Sequence, residues 1–364
     1  MGAKRQANFE LLRIIAMVMI ITLHYLGKGG ILMPYGENAS LLNHAAWLIE
    51  AFCIVSVNCY ILISGYFLVE SEWKPKRIVS LVAQVLFYSI MIPVVMLCLG
   101  MISGSELSIY DWLNFIFPIQ NGHYWFATHY VLFYLFVPVL AAGVQKLEKR
   151  TLQMVIIVLL LFFSVGKTLI PFHLVTDTDG YHYGWFLCLF LVAAYIRKYG
   201  ISWLEKGKRG LCLYVSMCIF IWAVSALCGV AERKTGALSH YVDMPYTYNY
   251  FFVFIGSVGL FYMFRNLHIR EGKVADVIRK LAPYTFGIYL LHVHNLVIDK
   301  IMYYWLGAEK VQGKWLFIPH MIMCVVIVYI VGTVVDFVRA YLFAWVGQIS
   351  DWHQKVTDKA SDRK

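Results

Sequence analysis

Apolar runs long enough to cross a bilayer recur along the chain, separated by short polar or Gly/Pro-marked breaks. Ten of them lie near 9–27, 44–69, 77–102, 122–142, 152–171, 182–197, 210–230, 248–265, 284–303 and 315–341. This pattern predicts an all-α polytopic membrane protein of about ten transmembrane helices. The first run, FELLRIIAMVMIITLHY (Phe9 to Tyr25), stands apart because it carries Arg13 near its start and His24 near its end. An α-helix turns about 100° and rises about 1.5 Å per residue, so eleven steps return to nearly the same face, about 16 Å further along. The two side chains therefore share one stripe at two depths. An ionisable group inside a span normally faces a protein interior or a wet cavity and marks function. The alternative is that Arg13 snorkels to the headgroups and His24 sits at the outer interface.

Composition agrees with the pattern. The 364 residues are 60% hydrophobic and 14% charged, with a mean hydropathy of +0.67; soluble domains are about 45–50% apolar and 25% charged. The formal net charge of +10 does not point to nucleic acid, because the basic residues lie in short loops between spans, not on one soluble face. With the N-terminus inside, 24 of the 31 Lys and Arg fall in cytoplasmic segments, as the positive-inside rule requires. Both termini are thus expected in the cytoplasm, in a multi-pass protein of the cell membrane whose surroundings are membrane lipid. The first run ends in His-Tyr-Leu-Gly-Lys and not in a small-residue cleavage site, so it is expected to remain as an anchor. Residues 1–343 read as one transmembrane domain, and 344–364 as a short, charged, disordered cytoplasmic tail with no appended soluble domain.

The outer loops have their own character. Residues 103–122 carry no Lys or Arg but hold Tyr110, Trp112, Phe115 and Phe117, a sequence suited to a helix lying in the interface. The loop 172–181 contains Asp177 and Asp179, and 231–247 is rich in Tyr and His. Such residues suit a polar, hydroxyl-bearing ligand, or form the ordinary aromatic belt. The eight cysteines lie in apolar runs without a C-x-x-C pair or zinc-like spacing, so no metal is expected, and no phosphate loop, G-x-S-x-G elbow or dinucleotide fingerprint is present.

Polar residues inside spans remain. Glu50 lies two turns into the second run, at a depth similar to His24 on a neighbouring antiparallel helix. It either orients the imidazole as a general base needs, forms a structural polar pair, or reaches outer water. His123-Tyr124-Trp125-Phe126 opens the fourth run, and the ninth contains Tyr289, His292 and His294.

The R-x10-H spacing of Arg13 and His24, preceded by Phe9-Glu10-Leu11-Leu12, resembles the signature of the membrane-bound acyltransferase-3 family. The ISGYFL run at Ile63 to Leu68, the basic loop Lys74-Pro75-Lys76-Arg77, HYWF at His123 to Phe126 and FGIYLLH at Phe286 to His292 are similar to family landmarks in content and order. One departure is Lys74, which stands where polysaccharide-modifying members commonly carry the first Arg of an R-x-x-R; lysine lacks the bidentate fork of arginine.

The resemblance implies transfer of an acyl group, most simply acetyl, from cytoplasmic acyl-CoA to a hydroxyl or amine of a cell-envelope polysaccharide or its precursor. Acetyl-CoA would be a donor substrate and not a bound cofactor. Under that reading His24 is the catalytic base or transient acyl carrier, and Glu50 is its orienting partner. Arg13, Lys74, Lys76 and Arg77 hold the phosphates of the donor. Ser64, Tyr66, His123, Trp125 and His292 line the pocket. A second class of function also fits buried His and carboxylate groups, a proton-coupled secondary transporter of an envelope precursor or amino acid, with His24, Glu50, His292 and Asp299 as its proton path.

Overall fold

The computed structural model describes residues 5–35, 37–171 and 178–361, with side chains described as far as 346. Lys4, Asp177, Arg363 and Lys364 lie outside the described residues. Each apolar run becomes a helix, and no strand occurs among the described residues. In a bilayer the helix is the form that satisfies every backbone donor and acceptor within one segment.

Helix α1 spans Ala7–Lys28, with Glu10 in its first turn and Lys28 in its last, complementing the helix dipole. Next comes α2, Leu41–Cys53, capped by Ser40, whose hydroxyl accepts from the Asn43 N–H at 3.2 Å. A turn at Ile54 and Val55 leads into α3, Ser56–Leu68. Helix α4 is Pro75–Cys98, with Pro75 at its first position, where a missing N–H is harmless. Then follow α5 (Ile109–Ile116), α6 (Trp125–Lys146), α7 (Lys149–Leu160), α8 (Gly166–Leu169), α9 (Tyr183–Tyr199), α10 (Arg209–Thr235), α11 (His240–Asp243), α12 (Phe251–Arg265), α13 (Lys273–Leu281), α14 (Thr285–His292), α15 (Asn295–Lys300) and α16 (Phe317–Ser361).

Among the described residues, eight helical segments are long and apolar enough to cross a membrane, with α2–α3, α7–α8 and α11–α12 each counting as one. A ninth is the segment from α13 through α15, bent by 73° between His292 and Asn295. The run near 182–197 becomes α9, whose 17 residues reach only about 25 Å. Short as it is, α9 is deeply buried from Trp185 to Ile196 and packs on α3, α6 and α7. Protein rather than lipid surrounds it, which relaxes the need to match bilayer thickness. The expected interfacial helix is present as α5. Ser108 and Asp111 cap it reciprocally, and Ile109, Tyr110, Leu113 and Ile116 are exposed. The Ser108 hydroxyl holds the Asp111 carboxyl below its usual range. Asp179 pairs with Lys167 at 2.6 Å. After residue 343, where a disordered tail was expected, α16 is described as continuing in helical form to Ser361.

Two polar clusters fix the helices that carry the site. Asn58, fully buried on α3, donates to the Tyr248 carbonyl (2.8 Å) and the Ser257 hydroxyl (3.1 Å) and accepts from the Trp185 indole (2.9 Å). It thereby ties α3, α9 and α12 to the segment around Tyr248. Asp336, fully buried on α16, accepts from Gln84 (3.0 Å) and Tyr88 (2.9 Å) on α4 and is gripped by Arg339 at 2.8 and 2.9 Å. This cluster occupies the space left by the missing side chain of Gly287 on α14, where a Cβ would stand 2.1 Å from the Asp336 carboxyl carbon.

Gly287→Ala is therefore expected to lower the thermal midpoint of the detergent-solubilised protein by an overpacking cost of about 1–3 kcal/mol. The control is Gly143→Ala on α6, where a Cβ meets nothing within 4 Å, and its midpoint should be unchanged or higher.

Candidate functional site

The basic loops after α3 and α12 and the start of α1 converge on one end of the bundle, called here the basic face. There the Asn8 amide donates to the Phe264 carbonyl and Arg279 donates to the Arg5 carbonyl. A cavity of about 740 Å3 leads inward from this face. Arg5, Arg77 and Arg197 stand along it with Ser71, and His24, Trp125, Tyr248 and Tyr289 line it further in. Arg13, Met17, Ile20 and His24 all line it, so the stripe expected from the spacing on α1 is one continuous wall of the cavity.

Arg13 does not snorkel away from the protein. It pairs with Glu10, one turn earlier, and its backbone carbonyl accepts from Tyr60 at 2.7 Å. Glu10 is 4% exposed at its side chain and also lies 3.8 Å from Arg5. A buried carboxylate between two guanidiniums is tolerable because both neighbours compensate it. It in turn holds Arg13 in one orientation toward the cavity. Arg197 projects from α9 over the Tyr66 ring (4.8 Å) and pairs with Glu70 (2.5 Å).

The innermost polar contact is between two imidazoles. His24 Nδ1 lies 3.0 Å from His292 Nε2, and His292 Nδ1 lies 2.6 Å from the Ile288 carbonyl. A carbonyl only accepts, so His292 Nδ1 carries a proton. In the neutral ring its Nε2 then holds a lone pair and accepts from His24 Nδ1–H. That leaves His24 Nε2 as the unprotonated nitrogen of a ring that lines the cavity. One backbone carbonyl thus dictates, through two rings, which nitrogen of His24 is basic.

The residues expected from sequence sort into two groups. His24, Arg13, Arg77, Ser64 and Trp125 all line the cavity, and Ser64 accepts from the Tyr130 hydroxyl at 3.2 Å. Lys74 and Lys76 do not line it; Lys74 is exposed and sits 4.0 Å from Glu72. Glu50 is not the partner of His24. That position belongs to His292, which is fully buried behind His24 and does not line the cavity. Tyr66 is packed against Phe9, Phe67 and Phe261. His123 is buried beside His294, with ring centroids 4.5 Å apart, and contacts Asn295 at 3.2 Å. Lys28 and Asp299 pair with each other at 2.7 Å at the exposed end of α1, which takes Asp299 out of any buried proton path. Arg5, Arg197, Tyr248 and Tyr289 were not singled out as site residues by the sequence, because their place on the cavity depends on how distant helices pack. Among the described residues no group of three or more His, Cys, Asp or Glu is arranged to hold a metal ion.

The model of the acyltransferase-3 family, described as "Acyltransferase domain", matches residues 6–337. The chain belongs to the acyltransferase-3 family. It is accordingly a multi-pass membrane acyltransferase, which sets aside the transporter reading. Neither a curated protein nor a solved structure gives a match. In this acyltransferase the cavity, the arginines along it and the paired histidines form one connected site, covered by the family match.

His292 contacts that site through His24, without lining the cavity. His292→Ala is expected to lower the transferase turnover at least tenfold, within the roughly 10²–10⁴ that a general base supplies, while leaving the Michaelis constant for the donor nearly unchanged. His292→Asn, whose amide can still face His24, should restore part of the loss; equal turnover in all three proteins would remove His292 from the mechanism.

Proposed function

We propose that the protein transfers an acetyl group from acyl-CoA, bound from a cytoplasmic basic face, to a hydroxyl of a cell-envelope carbohydrate. The observation that carries the reading is the unprotonated Nε2 of His24 at the inner part of an arginine-lined cavity. A CoA donor combines a phosphate-rich head with a long, mostly uncharged pantetheine arm. Arg5, Arg77 and Arg197 suit the head, since guanidinium forks match phosphate oxygens. The stripe from Arg13 through Met17 and Ile20 suits the arm, because its length of about 16 Å brings the thioester from one polar anchor to the other.

At the far anchor the chemistry balances without a cofactor. The acceptor O–H bond breaks as its oxygen attacks the thioester carbonyl carbon, and His24 Nε2 takes the proton. The C–S bond then breaks, the acetyl ester is formed, and the CoA thiolate leaves with the proton returned from His24. While His24 is charged, the lone pair of His292 Nε2 accepts from its Nδ1–H and stabilises the imidazolium. Tyr289, whose hydroxyl has no protein partner among the described residues, supplies an O–H on the same cavity wall, suited to the oxygen that gains charge in the transition state.

The test is acetyl-CoA binding and CoA release by purified protein in nanodiscs, with and without a cell-envelope glycan fraction. His24→Gln should abolish CoA release yet keep donor binding. Arg13→Ala and Arg77→Ala should each weaken acetyl-CoA binding, by roughly tenfold for loss of one charge-assisted contact. Lys74→Ala and Lys76→Ala should change it little, because neither side chain lines the cavity. Full CoA release by a folded His24→Gln protein would refute the assignment, and equal effects at all four cations would place the donor elsewhere.

A further inference from the structure

Glu50 loses the role of orienting His24, yet its position remains unexplained. One of its carboxylate oxygens, Oε2, is buried and has no hydrogen-bond partner. An unmatched carboxylate oxygen at membrane depth is costly, and such a group in a native chain calls for an explanation.

What surrounds Glu50 is aromatic and hydroxyl-bearing. Its helix α2 packs against Tyr246, two residues before Tyr248. On its own helix, Trp47 lies one turn away, with its ring 4.6 Å from that of Tyr246 and its carbonyl accepting from the Tyr246 hydroxyl at 3.3 Å. Tyr181 and Tyr248 pack on each other at 4.9 Å, and Trp125 lies 4.5 Å from Tyr181 and 5.8 Å from Tyr248. Tyr181 is 43% exposed, so this group reaches the surface at the loop before α9.

Tyr248 and Trp125 belong to both places. Each lines the donor cavity, as does Tyr289, the residue one helical turn before His292. Glu50 itself does not line that cavity. The Tyr248 backbone is held by Asn58 and by the Asp179 carbonyl, which accepts from the Tyr248 N–H at 3.0 Å, so this residue is anchored at two points.

We infer that the acceptor binds at this aromatic group beside α2, with Glu50 accepting hydrogen bonds from its hydroxyls and the rings of Trp125, Tyr181 and Tyr248 carrying its apolar face. The inference rests on the proposed function above and adds the acceptor's place. The chemistry selects a neutral, hydroxyl-bearing ring. A carboxylate supplies acceptors and tyrosine hydroxyls supply donors, together the complement of neighbouring sugar hydroxyls. Trp125, Tyr181 and Tyr248 touch one another, so they present faces for stacking and enclose no central space for an ammonium of the kind an aromatic cage holds. Glu50 is thus an acceptor-positioning residue, and the proton of the reacting hydroxyl still goes to His24.

The experiment uses the full-length protein in nanodiscs with radiolabelled acetyl-CoA, comparing wild type with Glu50→Gln and Tyr181→Phe. Three quantities are read: acetyl-CoA binding, CoA release without acceptor, and alkali-labile acetate on a cell-envelope glycan fraction. Both variants are expected to keep the first two within about twofold and to raise the half-saturating glycan concentration at least tenfold, the scale of one lost hydrogen bond to a charged group. Tyr181 lies in a partly exposed loop and loses only a hydroxyl, so its variant tests the aromatic group even if Glu50→Gln proves unstable. Unaltered glycan acetylation in Tyr181→Phe and in a folded Glu50→Gln overturns the inference, and so does a parallel loss of donor binding. Wild-type protein that acetylates glucosamine at its amine and leaves glycan hydroxyls untouched overturns the hydroxyl-bearing class. Wild-type protein that binds no acetyl-CoA refutes the donor reading and this inference with it, an outcome distinct from the other three.

Discussion

A polar side chain buried in a bilayer has no water to turn to, so each one must find a partner in the protein or be left for a ligand. That constraint divides the interior of this acyltransferase. Asn58 uses its amide for three bonds and welds α3, α9 and α12 together. Asp336 takes bonds from Gln84, Tyr88 and Arg339 and welds α4 to α16 across the bare face of Gly287. These matched groups are architecture. Among the buried atoms left without a partner, the hydroxyl of Tyr289 belongs to a residue that lines the cavity and Oε2 of Glu50 to one on the neighbouring α2.

The broken span from α13 to α15 follows from the same constraint. A continuous helix commits each carbonyl to its own ladder, whereas the 73° bend after His292 ends the ladder beside the site. The His294 side chain then caps the new start by accepting from the Leu296 N–H at 3.1 Å. His292 sits in the last turn before the break and is fixed by the Ile288 carbonyl. It gains a set tautomer without an acidic partner. A carboxylate in its place would favour a charged His24 in the resting enzyme, because an opposite charge stabilises the imidazolium. A neutral imidazole orients His24 without placing a charge beside it.

Much of this was legible in the sequence. The spacing of Arg13 and His24 settled that both face one cavity wall, because helical geometry over eleven residues admits little else. The runs of apolar residues gave the helices, down to the amphipathic α5. Partners across helices were not legible. Glu50 and His292 each had a depth compatible with His24, and depth alone cannot distinguish them; the choice depends on the rotation of α2 and α14 about their own axes, set by contacts such as Gly287 against Asp336. For the same reason Lys74 and Lys76 looked equivalent to Arg77, although only Arg77 is turned toward the cavity. Arg197 lies 120 residues beyond that loop in the chain and reaches the cavity because α9 packs against α3. HYWF illustrates both outcomes in four residues: Trp125 and Phe126 line the cavity, while His123 turns to His294.

On the proposed reading, a transferase whose donor and acceptor come from opposite sides of a membrane must keep them apart until they meet, since a through-channel would leak ions and water. Here the two approaches differ in kind. From the basic face, charge and length select, with guanidiniums along the way and an apolar stripe behind them. From the opposite side, aromatic faces and hydroxyls select, with little fixed positive charge. The approaches share Trp125 and Tyr248, large rings anchored by hydrogen bonds and stacking instead of by flexible loops. A rigid aromatic partition passes a thioester or a hydroxyl to a neighbouring imidazole more readily than a hydrated ion, because it offers a few oriented polar atoms and otherwise apolar surface. On that reading His24 stands where the two specificities meet, and the uncharged ring of His292 adds no fixed charge there.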